Sequence, residues 1–225
     1  MKEKKIIIIG TGGNSIDIID LIDDINIKSS IKYKCIGFLD DNLSMKNKEI
    51  MGIKVLGSLD SAKNYQDDNV YFVNSIGSPT NFWKKEKIIA KADLTKDRFI
   101  SLIHPSASIS QTASIGYGCV ILRNASISAH AKIGNHIIIF PNSLISHNNE
   151  IGDYSTIMGG VVISGNVKIG KSSYLSPSCS IDGNKIIGNT CLIGMGSSVL
   201  QNVEDNSVMV GSPAKFLRQT YTQTI

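Results

Sequence analysis

Side chains that can move a proton near neutral pH are few in this 225-residue chain: His104, His130, His136 and His147. An imidazole can serve as a general base at working pH. No motif pairs any of the four with a nucleophilic Ser or Cys, so chemistry here would proceed by direct attack, not through a covalent enzyme intermediate. Cys35, Cys119, Cys179 and Cys191 lack CxxC or other metal-ligand spacing, and no metal site is expected. The remaining chemistry-bearing stretch is Gly10-Thr11-Gly12-Gly13-Asn14-Ser15. It reads as the Rossmann-type pattern Gly10-x-Gly12-x-x-Ser15, with Ser in place of the third Gly. Such a loop lets backbone N–H groups and a helix N-terminus meet a phosphate. Asp40 stands where a carboxylate meets ribose hydroxyls, although 40 − 12 = 28 residues separate it from Gly12, against about 20 in the fingerprint. On the residues alone, a nucleotide site and a purely structural tight turn both fit the loop.

These residues belong to two differently patterned halves. In residues 1–100, strands are predicted at 5–9, 33–39, 54–56 and 70–76. Helices are predicted from Ile16, around 59–65 and over 81–94. The alternation predicts a small Rossmann-like, doubly wound α/β domain, about half a full dinucleotide fold and therefore suited to one nucleotide rather than NAD. In residues 101–225 an aliphatic returns every six residues from Ile103 through Ile109, Ile115 and Ile121 to Val199, and the next step reaches Asp205. Four positions after each aliphatic comes a mostly small residue, such as Ala107, Ala113, Cys119, Ala125, Ser143, Ser155, Cys179 and Cys191. Neither a helix nor an alternating strand has a strict period of six, whereas a hexapeptide β-helix does. Three hexads close one coil of a triangular prism, so residues eighteen apart stack as parallel strands. Each buried aliphatic then contributes about 1.5–3 kcal/mol.

That geometry sorts the histidines. His130 and His136 lie six apart on adjacent prism sides and cannot share a metal within one subunit. His130 stacks one coil before Asn148 and is a candidate partner for it. His104, in Ile103-His104-Pro105, reads as a structural residue at the domain junction. Since 147 + 18 = 165, Gly165 stacks one coil beyond His147.

The net charge of +4 is spread along the chain, so neither nucleic-acid binding nor membrane insertion is expected. The thiols suit a reducing compartment, and Ile6–Ile9 is too short for a signal peptide. A cytoplasmic protein is the expectation.

The two halves together resemble the bacterial nucleotide-sugar N-acetyltransferases of the left-handed β-helix type. These acetylate UDP- or GDP-linked amino-dideoxy sugars, and sialic acid O-acetyltransferases are their relatives. The resemblance rests on Gly10–Ser15, Phe38-Leu-Asp-Asp41, Ile76-Gly-Ser78, Leu102-Ile-His-Pro105, the hexads and Val210-Gly-Ser-Pro-Ala-Lys215. It implies a left-handed coil, a homotrimer with active sites between subunits, and acetyl-CoA as cosubstrate. It maps the catalytic base onto His147 within Ser143–Gly152. Asn148 takes the place of the family's frequent acidic residue, and Thr156 that of a second His. The family's amide donor for the thioester oxygen falls on Gly165, in agreement with the eighteen-residue spacing. Substrate contacts are implied at Gly10, Gly12, Gly13, Asn14, Asp40, Asp41, Gly77 and Ser78. Coenzyme A contacts are implied at Thr156, Gly165 and Lys215, with Arg218 a further phosphate partner. The expected reaction is acetylation of the amino group at C4 of a UDP-linked amino-dideoxy sugar. The alternatives are O-acetylation of a sugar or sialic acid, and a non-catalytic nucleotide-sugar-binding trimeric scaffold.

Overall fold

The computed structural model describes residues 3–221. Its first half is a five-stranded sheet built from β1 (Lys4–Ile9), β2 (Tyr33–Leu39), β3 (Glu49–Ile50), β4 (Ile53–Gly57) and β5 (Val70–Asn74). Their spatial order is β3-β4-β2-β1-β5, parallel except for the short β3, which pairs antiparallel with β4. The sequence reading did not foresee β3. Ile6 through Ile9 are fully buried because both faces of β1 are covered. Helix α1 (Asn14–Lys28) packs Ile18, Leu21 and Ile22 on one face. On the other lie Leu59, Ala62 and Ile89, from the 3-10 segment Leu59–Asn64 and helix α2 (Lys85–Ala90). The predicted helix over 81–94 is therefore shorter than expected. A 3-10 turn, Phe82–Lys84, precedes it, and Asp93 past its end has φ +48°, a left-handed conformation that cannot continue an α-helix.

From Leu102–Ile103 to Ser198–Val199 a two-residue strand recurs every six residues. Residues eighteen apart pair in parallel, as in Ile127↔Ile145 and Ile145↔Ile163, which gives three sheets and a parallel β-helix. The hexad aliphatics from Ile121 onward form its core. Ile103 departs from the pattern: it is 37% exposed, and Ile109 and Ile115 are only partly buried, because no coil lies beneath the first one. The other end is closed by Val203, Met209 and Ala214, the latter two set by a hairpin of Ser207–Val210 with Lys215–Gln219. Corners repeatedly place Asn at positive φ, at Asn124, Asn142, Asn148, Asn166 and Asn184. Asn tolerates this region better than most residues do.

The three prism faces differ in what points outward. Face one carries Leu102, Val120 and Ile138, buried under Ile18, Ile22 and Ile25 of α1, so this face holds the α/β domain. Face two presents Ser126, Leu144, Val162 and Ser180, with Leu144 37% and Val162 41% exposed. Face three carries the exposed ion-pair ladder Lys132–Glu150–Lys168.

Two histidines serve this junction. His104 Nε2 donates to Asp24 of α1 at 2.9 Å, and Arg123 also reaches Asp24 at 3.3 Å. His104 Nδ1 accepts both the N–H and the hydroxyl of Ser106, at 3.0 and 2.8 Å. Ser106 Oγ in turn accepts the Asn124 N–H. With Nδ1 filled by a backbone donor, this Ser–His–Asp chain is a clamp between domains and not an activated nucleophile. His136 is 2% exposed within the rings of Phe99, Tyr117 and Tyr154, and burial pushes it down to about 4, so it is neutral. Lys85, also at this seam, is fully buried with no hydrogen-bond partner for Nζ among the described residues, and burial lowers it to about 7. Burial likewise raises the Cys119, Cys179 and Cys191 thiols to about 11 to 12, as suits interior residues that do no chemistry. Among the described residues no cluster of His, Cys, Asp and Glu could hold a metal, and no helix is long and apolar enough to cross a membrane.

Candidate functional site

The chain order of the α/β sheet leaves β1 between β2 and β5, so the crossovers leave in opposite directions at the carboxyl end of β1. A crevice opens at such a switch point, and here it is a cavity of about 370 Å³. Gly10, Gly12, Gly13, Asn14, Asp40, Asp41, Gly77 and Ser78 all line it. Thr11 and Ile76, from the same motifs, also line it, and Leu59, Ser75, Asn81, Ile88 and Lys91, which carried no sequence signal, complete the wall. Gly12 and Gly13 face open space, with no atom within 4 Å of where a Cβ would stand, so their backbone is accessible ahead of the N-terminus of α1. Ser15 turns away from the cavity: it is fully buried and its hydroxyl donates to the Gly12 carbonyl at 2.7 Å, closing the loop onto the helix.

Several cavity residues are busy holding the loop. Asp40 Oδ2 accepts the Thr11 N–H at 2.8 Å and the Thr11 hydroxyl at 2.5 Å, while Oδ1 accepts the Asn42 N–H. Its contacts make Asp40 a brace for the glycine loop, within the same cavity wall where a ribose partner is expected. Asn14 Nδ2 donates to the carbonyls of Ser75 and Gly77, tying the start of α1 to the segment after β5. Asp41 accepts the Leu59 N–H at 3.0 Å and pairs with Lys91 at 2.7 Å. Burial pushes the Asp41 carboxyl up, but the Lys91 ammonium and the Leu59 N–H outweigh it and hold the group below its usual range.

On the β-helix, His147 occupies the exposed corner between faces two and three. Its ring lies against Gly165, as the eighteen-residue spacing requires: a Cβ on Gly165 would fall 2.6 Å from Cε1 and 2.7 Å from Nε2. The Gly165 carbonyl accepts the Asn184 N–H, and its own N–H has no partner among the described residues. Asn148 approaches His147 Nδ1 at 3.1 Å and Asn166 Oδ1 at 3.2 Å. Its side chain thus bonds toward the next coil, and among the described residues no hydrogen bond joins it to His130, which is exposed and donates its backbone N–H to Thr112 Oγ1. Beneath this corner Asn149 is fully buried, accepting the Val167 N–H at 2.6 Å and donating to the Ser146 carbonyl at 2.9 Å. It braces the peptide carrying His147. The available signal was an amide where the register, Lys185 apart, otherwise holds small or aliphatic residues.

Thr156 is not beside His147. It lies on face one, fully buried, with Oγ1 2.7 Å from where a Gly77 Cβ would stand. Thr156 thus faces the seam beneath the α/β domain and not the corner bearing His147. Its presence does explain Gly77, since any side chain there would strike it. Lys215 is exposed at the start of the closing strand, paired through its backbone with Val210. The cavity above face one and the corner bearing His147 lie on opposite sides of the prism at nearly the same height along its axis.

The architecture is thus an α/β domain with a phosphate-type loop, seated on one face of a hexapeptide β-helix. Residues 5–91 match the family profile described as the PglD N-terminal domain. The whole fold is that of three solved structures. The acetyltransferase domain of PglB from Neisseria gonorrhoeae FA1090, in complex with acetyl coenzyme A, is 24% identical with a TM-score of 0.83, over 96% of this chain and 100% of that one. PerB from Caulobacter crescentus, in complex with CoA and GDP-perosamine, is 20% identical with a TM-score of 0.80, over 95% and 97%. WeeI from Acinetobacter baumannii AYE is 24% identical with a TM-score of 0.80, over 96% and 100%. No curated protein matches the chain.

Proposed function

We propose that the chain is an acetyltransferase that moves the acetyl group of acetyl-CoA to the amino group of a nucleotide-linked amino-dideoxy sugar, the 4-amino group of a UDP-sugar being the preferred substrate. The observation that carries this reading is the combination of a nucleotide-type cavity at the switch point with His147 set on a glycine in the β-helix. The PglB and PerB structures support it, since one holds acetyl coenzyme A and the other CoA with GDP-perosamine in the same fold.

In this reading the loop Gly10–Ser15 and the start of α1 receive the diphosphate, with Asp40 keeping the loop in shape. His147 accepts the proton that the amine loses as its nitrogen bonds to the acetyl carbon. The N–H of Gly165 donates to the carbonyl oxygen as that oxygen gains negative charge. The carbon–sulfur bond then breaks, and the thiol leaves carrying a proton. Gly165 fits the thioester because its N–H has no partner among the described residues and it carries no side chain. Lys215 would meet a coenzyme A phosphate as a charge-assisted partner. Alignment of the two substrates supplies much of the rate.

Because the cavity and His147 sit on opposite sides of one prism, a complete site requires a second copy. Neighbours related by an axis parallel to the prism would bring the cavity of one alongside His147 of the next at the same height. This supports a homotrimer whose contacts include the exposed Leu144 and Val162. Asn148, being neutral, favours the amine over a hydroxyl acceptor, which needs stronger base assistance.

The test is free-thiol release from acetyl-CoA with UDP-, GDP- and dTDP-linked 4-amino and 3-amino sugars, their hydroxyl counterparts and free sialic acid. Release with an amino sugar and not with its hydroxyl analogue is expected. Release only with hydroxyl acceptors would move the protein to O-acetylation, and silence across the panel would leave the scaffold.

A further inference from the structure

Asn148 and Asn166 occupy equivalent left-handed corners of successive coils, at φ +58° and +60°. One terminal atom of the Asn148 amide touches both His147 Nδ1, at 3.1 Å, and the amide oxygen position of Asn166, at 3.2 Å. A single atom with two such neighbours either donates to both, as NH2, or accepts from both, as C=O. An amide exchanges these roles by turning through 180° with little change in shape. The corner therefore has two self-consistent states. In the first, Asn148 donates to Nδ1 and to the Asn166 carbonyl, and the imidazole proton sits on Nε2. In the second, both amides are turned, Asn166 donates to the Asn148 carbonyl, and that carbonyl also accepts Nδ1–H, leaving Nε2 bare. Turning one amide alone sets oxygen against oxygen or NH2 against NH2, so the two rotate together.

Resting on the base role proposed above, we infer that Asn166 is a positioning residue that sets the tautomer of His147 through Asn148. A base that accepts the amine proton at Nε2 needs the second state before transfer. It needs the same state after transfer, because the imidazolium carries Nδ1–H as well and requires an acceptor there. Asn166 stabilises that state by giving its NH2 to the Asn148 carbonyl. Two stacked amides thus do by hydrogen bonding what an acidic neighbour would do by charge. Gly165 keeps the imidazole plane in register with the pair, since the ring rests directly on it.

The relay predicts an outcome opposite to simple electrostatics. In Asn166→Asp a carboxylate can only accept, so Asn148 must present NH2 to it and, through the same atom, to Nδ1. The proton is then forced onto Nε2. The added negative charge would otherwise assist an imidazolium, yet kcat should fall at least about tenfold, because a histidine held in the wrong tautomer is a poor base, while KM for both substrates is unchanged. Asn148→Asp accepts Nδ1–H directly and should keep or raise kcat. In that background Asn166→Ala should be silent, although it lowers kcat in the wild type.

The readout independent of turnover is the pair of imidazole 15N shifts of His147, assigned by comparison with His147→Gln. Nδ1–H is expected in the wild-type protein and Nε2–H in Asn166→Asp. An unchanged tautomer in Asn166→Asp, or Nε2–H in the wild type, overturns the relay. If the tautomer switches as expected but His147→Asn retains full kcat, the relay stands and the base role falls.

Discussion

Gly165→Ala isolates the stacking of His147 on its neighbouring coil. The new Cβ would stand 2.6 Å from His147 Cε1 and 2.7 Å from Nε2. Ordinary contact between such atoms begins near 3.4 Å, so the ring must move by 3.4 − 2.6, or about 0.8 Å. The backbone of Gly165 is not in the left-handed region, so alanine is conformationally acceptable. The exposed His147 ring is free to swing outward, so the fold should lose at most about 0.5 kcal/mol. Catalysis is less forgiving, because a misplacement of about 1 Å can cost roughly 10²-fold. The expected outcome is a fall in kcat of about 10²-fold with an unchanged melting temperature and unchanged KM for the sugar nucleotide. Steady-state thiol release combined with thermal unfolding measures both quantities. Full turnover in Gly165→Ala would refute the contact as a feature of the working site. Equal losses of stability and activity would mean that the glycine serves the coil and not the histidine.

Three further outcomes follow from the same contacts. His147→Asn should retain the fold and lower kcat by about 10²–10⁴-fold, as read by thiol release, with circular dichroism confirming the fold. Asp40→Ala removes the acceptor of the Thr11 N–H and hydroxyl. It should weaken nucleotide-sugar binding at least about tenfold, since a hydrogen bond to a charged group is worth about 1.5–3 kcal/mol. Titration calorimetry checks this, and acetyl-CoA binding should not change. Lys85 has its folded pKa lowered from 10.5 to about 7 by burial, so between pH 7 and 10.5 the unfolded chain holds a proton that the folded one lacks. Stability from this group therefore rises as pH increases through that window. Lys85→Met should abolish that rise and increase the melting temperature at pH 7 by about 2–4 °C for each kcal/mol recovered. A melting profile against pH identical to the wild type would refute the buried, unpaired state of Lys85.

Much of this architecture follows from local pattern alone. A strict period of six admits one regular solution, and the coil length of eighteen then places Gly165 on His147 without any structural information. The apolar run before Gly10 and the acidic pair after Leu39 are strand ends, and strand ends of a parallel sheet converge, so the cavity-lining residues were legible as a group. What the side chains do within that group was not. Asp40 spends its oxygens on Thr11 and Asn42, and Thr156 disappears under Gly77, because both depend on neighbours distant in sequence. A clue to the second was present: Leu102, Val120 and Ile138 point outward eighteen residues apart yet are apolar, which marks face one as covered.

The sequence by itself determined the coil, its register and the identity of the residue stacked on His147, since these depend only on spacing along one chain. Tertiary structure alone decided that the α/β domain sits on face one, away from the corner bearing His147. That choice rests on α1 burying its isoleucines against Leu102, Val120 and Ile138, and on Asp24 meeting His104 and Arg123. Such contacts join segments about 80 to 100 residues apart, and no periodicity encodes them.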